Sequence, residues 1–302
     1  MPRRINRAIE KLILQEPIYY TGDHTTQHLS YKAGISDSET WADYINIGME
    51  HGAFDINGLD AYMTGLKSGG PTKSGHVTPA VIAELPTTGT NQDTVMANAW
   101  QITQILARGV HGLILCHAEK PEAVRAFVEC VRYPLHTLGV GSNLSKGRRG
   151  SAGQFSAAPM WGISPTDYIK IAEPWPLNPD GELLLGVKIE NQTALENVES
   201  TLAVPGLAFA EWGPGDMSMS FGYAEIPDPL PPALLTARQR VFNACRANNI
   251  HFLEHASPDT VVNKIEEGIT IISAADQEGE KTASIGRAHS NANQNWQYGT
   301  RY

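Results

Sequence analysis

Cysteine is scarce in this chain, with three in 302 residues: Cys116, Cys130 and Cys245. Their wide, irregular spacing supports neither a disulfide framework nor a zinc pattern, and predicts reduced residues in a cytoplasmic protein. Basic residues are also in deficit, 23 Lys and Arg against 32 Asp and Glu, for a formal charge of −9. A nucleic-acid surface needs a basic stripe to neutralise phosphates. The one tight basic group, Lys146, Arg148 and Arg149, is too small to make one. No apolar run reaches membrane-spanning length, and Met1-Pro2-Arg3-Arg4 is not followed by a signal-like apolar segment. No GxGxxG follows an early strand, which argues against an open dinucleotide-binding sheet. These absences predict a soluble protein with no nucleic-acid or membrane partner.

What is present is an ordinary globular composition, 41% hydrophobic and 18% charged, on a chain long enough for one large domain. Short apolar runs recur at 17–20, 44–47, 80–83, 111–116, 183–189, 207–212, 250–253 and 269–272. Helical spacing fills the gaps, most clearly at 93–108, 121–132 and 232–247. Eight strands alternating with helices over this length predict an α/β fold, a parallel (β/α)8 TIM barrel. The expected organisation is one barrel domain over 1–277 and a polar C-terminal arm over 278–302, loose or docked on another subunit. A long irregular stretch at 133–182 is expected to lie partly over the barrel mouth or against a neighbouring subunit.

Two acids punctuate the most informative segment. Glu190 ends the run Leu183–Ile189, and Asp216 follows 26 positions later in Trp212-Gly213-Pro214-Gly215-Asp216. Helical spacing at Ala194, Leu195, Val198 and Leu202 lies between them, stopped by Pro205-Gly206. Strand–helix–strand crossovers make the two strands parallel, so both acids emerge at one edge of the sheet. Two hard oxygen donors there, without cysteine or paired histidine nearby, suit a divalent ion such as Mg2+ or Mn2+. On spacing alone, a helix cap at Glu190 and a turn at Asp216 fit equally well.

The wording of 186–222, GVKIENQTALENVESTLAVPGLAFAEWGPGDMSMSFG, resembles the metal-dependent hydroxy-ketoacid aldolases. These include the 2,4-dihydroxyhept-2-enedioate and 2-keto-3-deoxyglucarate aldolases, grouped with the citrate lyase β-subunit. MEHGAF at 49–54 and RYPLHTLGVGS at 132–142 are similar to further family elements. The resemblance implies a phosphoenolpyruvate/pyruvate-type barrel, usually a homo-oligomeric hexamer, using Mg2+, Mn2+ or Co2+. It implies that Glu190 and Asp216 are metal ligands and that His51 manages protons through a water. The backbone around Gly215 and Asp216 then suits a substrate carboxylate. The implied reaction is that of a class II aldehyde-lyase, which cleaves or forms a hydroxylated 2-oxo acid through a metal-stabilised pyruvate-type enolate.

Three side chains expected from that family are missing. The arginine after the third strand falls on Ala83 or Glu84, the glutamine before the metal glutamate is Lys188, and the aspartate that orients the histidine is Gly48. Lys188 shares a strand face with Glu190, so it either supplies the lost positive charge at the site or pairs with Glu84 or Glu190. His51 is then expected to be oriented by Glu50 or Asp23. Asp23-His24 fits a helix cap better than a site, and Arg148 and Arg149 fit a solvated loop better than a substrate clamp. The losses keep other readings open. These are decarboxylation, acyl-CoA cleavage or enolate condensation on the same barrel, and a barrel that binds a 2-oxo acid without catalysis.

Overall fold

The computed structural model describes residues 3–25 and 28–292. One fully parallel sheet runs through β1 (Ile18–Asp23), β2 (Tyr44–Gly48), β3 (Ala80–Thr88), β4 (Gly112–Cys116), β5 (Pro174–Trp175), β6 (Leu183–Lys188), β7 (Phe209–Glu211), β8 (His251–His255) and β9 (Ile271–Ser273). The spatial order is β4-β3-β2-β1-β9-β8-β7-β6-β5, and β4 also pairs with β6, which closes eight strands into a barrel. Each of the eight apolar runs in the sequence overlaps one barrel strand. The two-residue β5 is an addition, paired beside the start of β6.

Alternation along the strands sorts the core into two layers. Tyr20, Tyr44, Ala80, Ile82, Ile114, Cys116, Leu184 and Phe209 fill the barrel interior. Their neighbours, such as Val81, Leu113, Leu115, Leu185 and Val187, pack outward against the helices. Because every strand runs the same way, all eight C-terminal ends meet at one rim. That rim therefore collects Glu50, Glu84, Cys116, Lys188, Glu190 and Glu211.

Three expectations are corrected here. Of the two places expected for part of the stretch 133–182, the barrel mouth is not the one it takes within the chain. It contains helices Gln154–Trp161 and Pro165–Ile171, and Trp161 donates from Nε1 to the Gly109 carbonyl and stacks on His111, at the base of β4. Within it Arg149 is buried, its guanidinium 4.6 Å from the Tyr133 ring centre, and Arg148 pairs with Glu129. Both are therefore held away from the mouth. Arg132, in the family-like RYPLH segment, makes a fully buried bidentate pair with Glu173. The polar arm is also not loose over its first part. Residues Gly279–Ala292 form a helix whose Thr282 and Ala283 are buried, and Arg287 bonds Asp43 of the same barrel at 2.9 Å. Polar residues suffice there because a helix on the outside of a barrel buries only one stripe. Residues 293–302 lie outside the described residues.

Two interior histidines give the fold an acid limit. Burial pushes both His111 and His251 down to about 3. His111 accepts the Val81 N–H on Nδ1, and His251 Nδ1 lies 2.7 Å from Thr270 Oγ1. An unfolded histidine takes up its proton near 6.5, whereas these two resist until about 3. Between those values the unfolded state binds more protons, so stability is complete above 6.5 and falls as pH drops. The expected slope is about 1.4 kcal/mol per pH unit for each histidine. Urea unfolding at pH 7.5 and pH 5 measures it, and His251→Gln is expected to remove about half of the histidine contribution. Equal midpoints at the two pH values would exclude this account.

Candidate metal centre at the barrel mouth

Three strands contribute the acids. Glu190 stands two residues beyond β6, on the face it shares with Lys188, and is 1% exposed. Its Oε1 accepts the His117 N–H at 2.6 Å. His117 follows β4 with φ of +46°, a left-handed conformation that few non-glycine residues adopt, and this turn aims its amide at Glu190. Glu50, just past β2, places its Oε2 2.8 Å from Lys188 Nζ and 3.5 Å from His51 Nε2. Asp216 sits in the first turn of helix Pro214–Ser220, which opens directly after β7. Gly213 carries that turn at φ of +50°, and a Cβ there would come within 2.3 Å of Glu190 Cβ. Only glycine lets the β7 turn pass so close to the acid.

These side chains assemble into two adjoining groups. Glu50, His51 and Asp216 bring ligand atoms within 4.8 Å of one another, as do Glu50, Cys116 and Glu190. Glu190 and Asp216 thus fall in separate triplets that share Glu50. Glu50 Oε1 is buried and has no hydrogen-bond partner, its nearest charged neighbour being His117 Nε2 at 3.4 Å. A carboxylate oxygen so placed, beside a second buried acid, costs free energy unless a cation or a proton faces it. Burial and then the nearby Glu50 push the Glu190 carboxyl well above its usual range, with Lys188 opposing. The donor set therefore fits a divalent ion, through carboxylate oxygens of the kind Mg2+ and Mn2+ take.

A charged network surrounds Lys188 beside these acids. Glu84, which with Ala83 is one of the two positions where the resemblance implies an arginine, is fully buried and faces into the barrel. It lies 2.7 Å from His24 Nδ1 and 3.4 Å from Lys188 Nζ, and accepts the Asn46 amide at 3.1 Å. Burial opposes its charge, but the His24 bond and Lys188 hold its carboxyl below the ordinary range. The same bond raises His24. Burial likewise opposes the Lys188 charge, yet the Cys116 sulfur and the acids Glu211, Glu84 and Glu190 hold it above the lysine range. Glu211, on β7, is itself raised by burial. Lys188 therefore makes the pairing expected with Glu84, and its second partner is Glu50.

Glycine at 48, where the resemblance implies an aspartate, has a steric reason. A Cβ on Gly48 would meet the backbone of His24 at 2.3–2.4 Å, because the segment after β1 crosses directly over it. His51 is consequently flanked by Glu50 and, at 3.9 Å, by Asp216, with 46% of its side chain exposed at the mouth. Asp23 instead accepts from the Thr25 amide. Gly215 faces open space, with nothing within 4 Å of where its Cβ would stand. Cys116, His117 and Glu211 carried no expectation from the sequence. The available signal was alternation, since Glu84 continues the inward set Ala80, Ile82 and Cys116 continues Gly112, Ile114.

Comparison with known proteins agrees with this architecture. Residues 90–277 match the profile of the HpcH/HpaI aldolase/citrate lyase family. The chain is 30% identical over 186 residues to the hydroxypyruvate/pyruvate aldolase of Cupriavidus necator, covering 61% of this chain and 56% of that one. It is 30% identical over 132 residues to the 2-keto-3-deoxy-L-rhamnonate aldolase of Klebsiella pneumoniae, covering 43% and 42%. The chain thus spans about half the length of these curated relatives. The crystal structure of an HpcH/HpaI aldolase/citrate lyase family protein from Burkholderia cenocepacia superposes with a TM-score of 0.67 at 20% identity, over 93% of this chain and 99% of that one. The matched stretch runs from just after β3 to just past β9 and contains Cys116, Lys188, Glu190, Glu211 and Asp216, so the chain belongs to the HpcH/HpaI aldolase/citrate lyase family.

Proposed function

We propose that this barrel is a divalent-metal-dependent carbon–carbon lyase that cleaves or forms a hydroxylated 2-oxo acid at its C-terminal rim. The observation that carries the reading is the buried Glu50 Oε1, which makes no hydrogen bond, beside Glu190, with Asp216 and His51 in the adjoining group. Glu190 and Asp216 would hold the ion, with Glu50 next to both. When bound, Mg2+, Mn2+ or Co2+ supplies positive charge where the keto oxygen gains electron density.

The remaining steps belong to side chains of the chain. His51, exposed at the mouth and flanked by Glu50, takes the proton of the hydroxyl on the carbon that departs as aldehyde. As that oxygen forms its carbonyl, the carbon–carbon bond breaks and its electron pair moves toward the keto group. The same histidine, through water, then returns the proton to the methyl carbon of the three-carbon product. Lys188, fixed by Glu50 and Glu84, adds a positive field on the side where the family's arginine is missing. The open backbone at Gly215 and Asp216 receives the substrate carboxylate.

One observation favours a second reading. Glu84 buries a carboxylate at or next to the position where the resemblance implies a cation, which weakens the assistance to a keto oxygen and suits a decarboxylase or condensing enzyme on the same barrel. An acyl-CoA substrate is disfavoured, because Arg148 and Arg149 lie away from the mouth. Exchange of the pyruvate methyl protons in deuterium oxide separates these cases. The lyase reading predicts exchange that needs Mg2+, Mn2+ or Co2+ and stops on chelation, followed by loss of the methyl resonance. Metal binding without exchange, for pyruvate and hydroxypyruvate alike, would reject both the lyase and an enolate-condensing enzyme and leave a decarboxylase or a barrel that binds a 2-oxo acid.

A further inference from the structure

The opposite end of the barrel carries a cavity that the acids of the mouth do not line. Its volume is about 300 Å³, and its wall is built from Arg4 and Ile5 ahead of helix Arg7–Ile13, residues 75–78 ahead of β3, His111 ahead of β4, and Met160 and Trp161. Thr78 and His111 are 2% and 0% exposed. Neither Thr78 Oγ1 nor His111 Nε2 has a hydrogen-bond partner among the described residues. A buried polar atom left unmet costs free energy, and two in the wall of one cavity point to an occupant.

The chemistry of the wall narrows what fits. His111 Nδ1 accepts the Val81 N–H, so the ring proton sits on Nε2, a donor with no acceptor. Burial keeps that ring neutral at ordinary pH. Thr78 adds a hydroxyl, which donates or accepts. The charges around the rim are already answered. Arg4 bonds the carbonyls of Pro179 and Gly181 and lies 3.0 Å from Glu182, which also accepts the Asn6 N–H. Glu10 accepts the Arg3 N–H at 2.8 Å and lies 3.1 Å from His76 Nε2. No charge is left over to balance a charged ligand, whose burial here would go uncompensated. The remaining wall of Ile5, Val77, Met160 and Trp161 is apolar, whereas an ordered water needs two to four polar partners. Water alone therefore suits poorly a space about ten times its own share of liquid volume.

We propose that this cavity is a second binding site, for a small uncharged amide or ketone of about ten non-hydrogen atoms. Its carbonyl oxygen accepts from His111 Nε2 and the Thr78 hydroxyl, and its apolar body rests on Ile5, Val77, Met160 and Trp161. The Trp161 ring stacks on His111 at 5.4 Å between centres, and its Nε1 is tied to the Gly109 carbonyl. The donor is thus held in place before a ligand arrives. Because the site lies at the N-terminal ends of the strands, it depends neither on a metal nor on the lyase reading.

Benzamide and benzoate share one shape and differ in charge, and each is titrated into the full chain by calorimetry. The expected result is one benzamide per chain with a dissociation constant of about a millimolar or lower, and benzoate weaker by at least about tenfold. In the NMR spectrum, the His111 Nε2–H resonance, identified by its contacts with the Trp161 ring, moves as benzamide is added. Thr78→Val keeps the shape and loosens benzamide about five- to tenfold by removing one hydrogen bond. No heat and no shift at millimolar benzamide leaves a water-filled cavity and overturns the proposal. Benzoate bound as tightly as benzamide overturns the uncharged ligand. Binding that leaves both the His111 resonance and the Thr78→Val affinity unmoved places the molecule elsewhere and overturns the site. Should Thr78→Val not fold, the wild-type resonance decides.

Discussion

Replacing Lys188 with methionine is expected to destabilise the folded chain by about 3–5 kcal/mol, the range found when one partner of a buried ion pair is removed. Methionine keeps the length and most of the volume of the lysine stem, so packing changes little. What is lost is the charge that faces two carboxylates, one fully buried and the other nearly so. Glu84 retains His24 and Asn46 as partners, but Glu50 loses its one 2.8 Å contact. Adding Glu84→Gln to Lys188→Met should recover part of the loss, because one unpaired buried charge is removed with its partner. Urea unfolding midpoints of the two variants give the answer. A Lys188→Met chain within 1 kcal/mol of wild type would show that the interior acids are protonated or solvated, and the network described here would be wrong. The same variant is expected to lose turnover, whereas unchanged turnover would remove Lys188 from the mechanism.

Glu190→Gln is expected to act in the opposite sense on stability while lowering activity by about 10²–10³-fold, the equivalent of several kcal/mol of lost charge stabilisation. Glutamine keeps the shape, and its carbonyl still accepts the His117 amide. The stability argument follows from linkage. Burial and Glu50 raise the Glu190 carboxyl in the folded state. Its contribution is then fully present below the unfolded carboxylate value and is lost as pH rises through the higher folded one. Above the unfolded carboxylate value and without metal, the buried carboxyl is therefore a cost, and the neutral amide relieves it. Thermal unfolding without metal should give a midpoint at or above wild type. With Mn2+ added, the wild type should rise through binding to the folded state, and the variant should not. If both proteins respond equally to metal, Glu190 is not a ligand.

The barrel was legible because its code is local. A short apolar run for each strand, helical spacing between strands and a Pro-Gly stop are written within a few residues of one another. The run 183–189 and the acid that closes it can be read without knowing what lies beside them, as can the turn carrying Asp216. The same local reasoning failed where apolar spacing was weak. Residues 133–182 gave no clear period and were expected partly over the mouth or against a neighbouring subunit, yet within the chain Trp161 of this stretch packs at the base, where it covers His111. The helix Gly279–Ala292 was hidden by its polar composition, although one buried stripe through Thr282 and Ala283 is all it requires.

Taken alone, the sequence determined an eight-stranded parallel barrel and two acids at the same sheet edge, since strand direction and side-chain alternation follow from the chain itself. Tertiary structure decided which charges meet. The loop after β1 lies over Gly48, excluding the aspartate and delivering His24 to Glu84. Closure through the β4–β6 ladder brings Cys116 next to Glu190. Glu50 reaches Lys188 across 138 positions of chain. Contacts of that span depend on how strands from distant segments register around the barrel, and no pattern of neighbouring residues encodes that register.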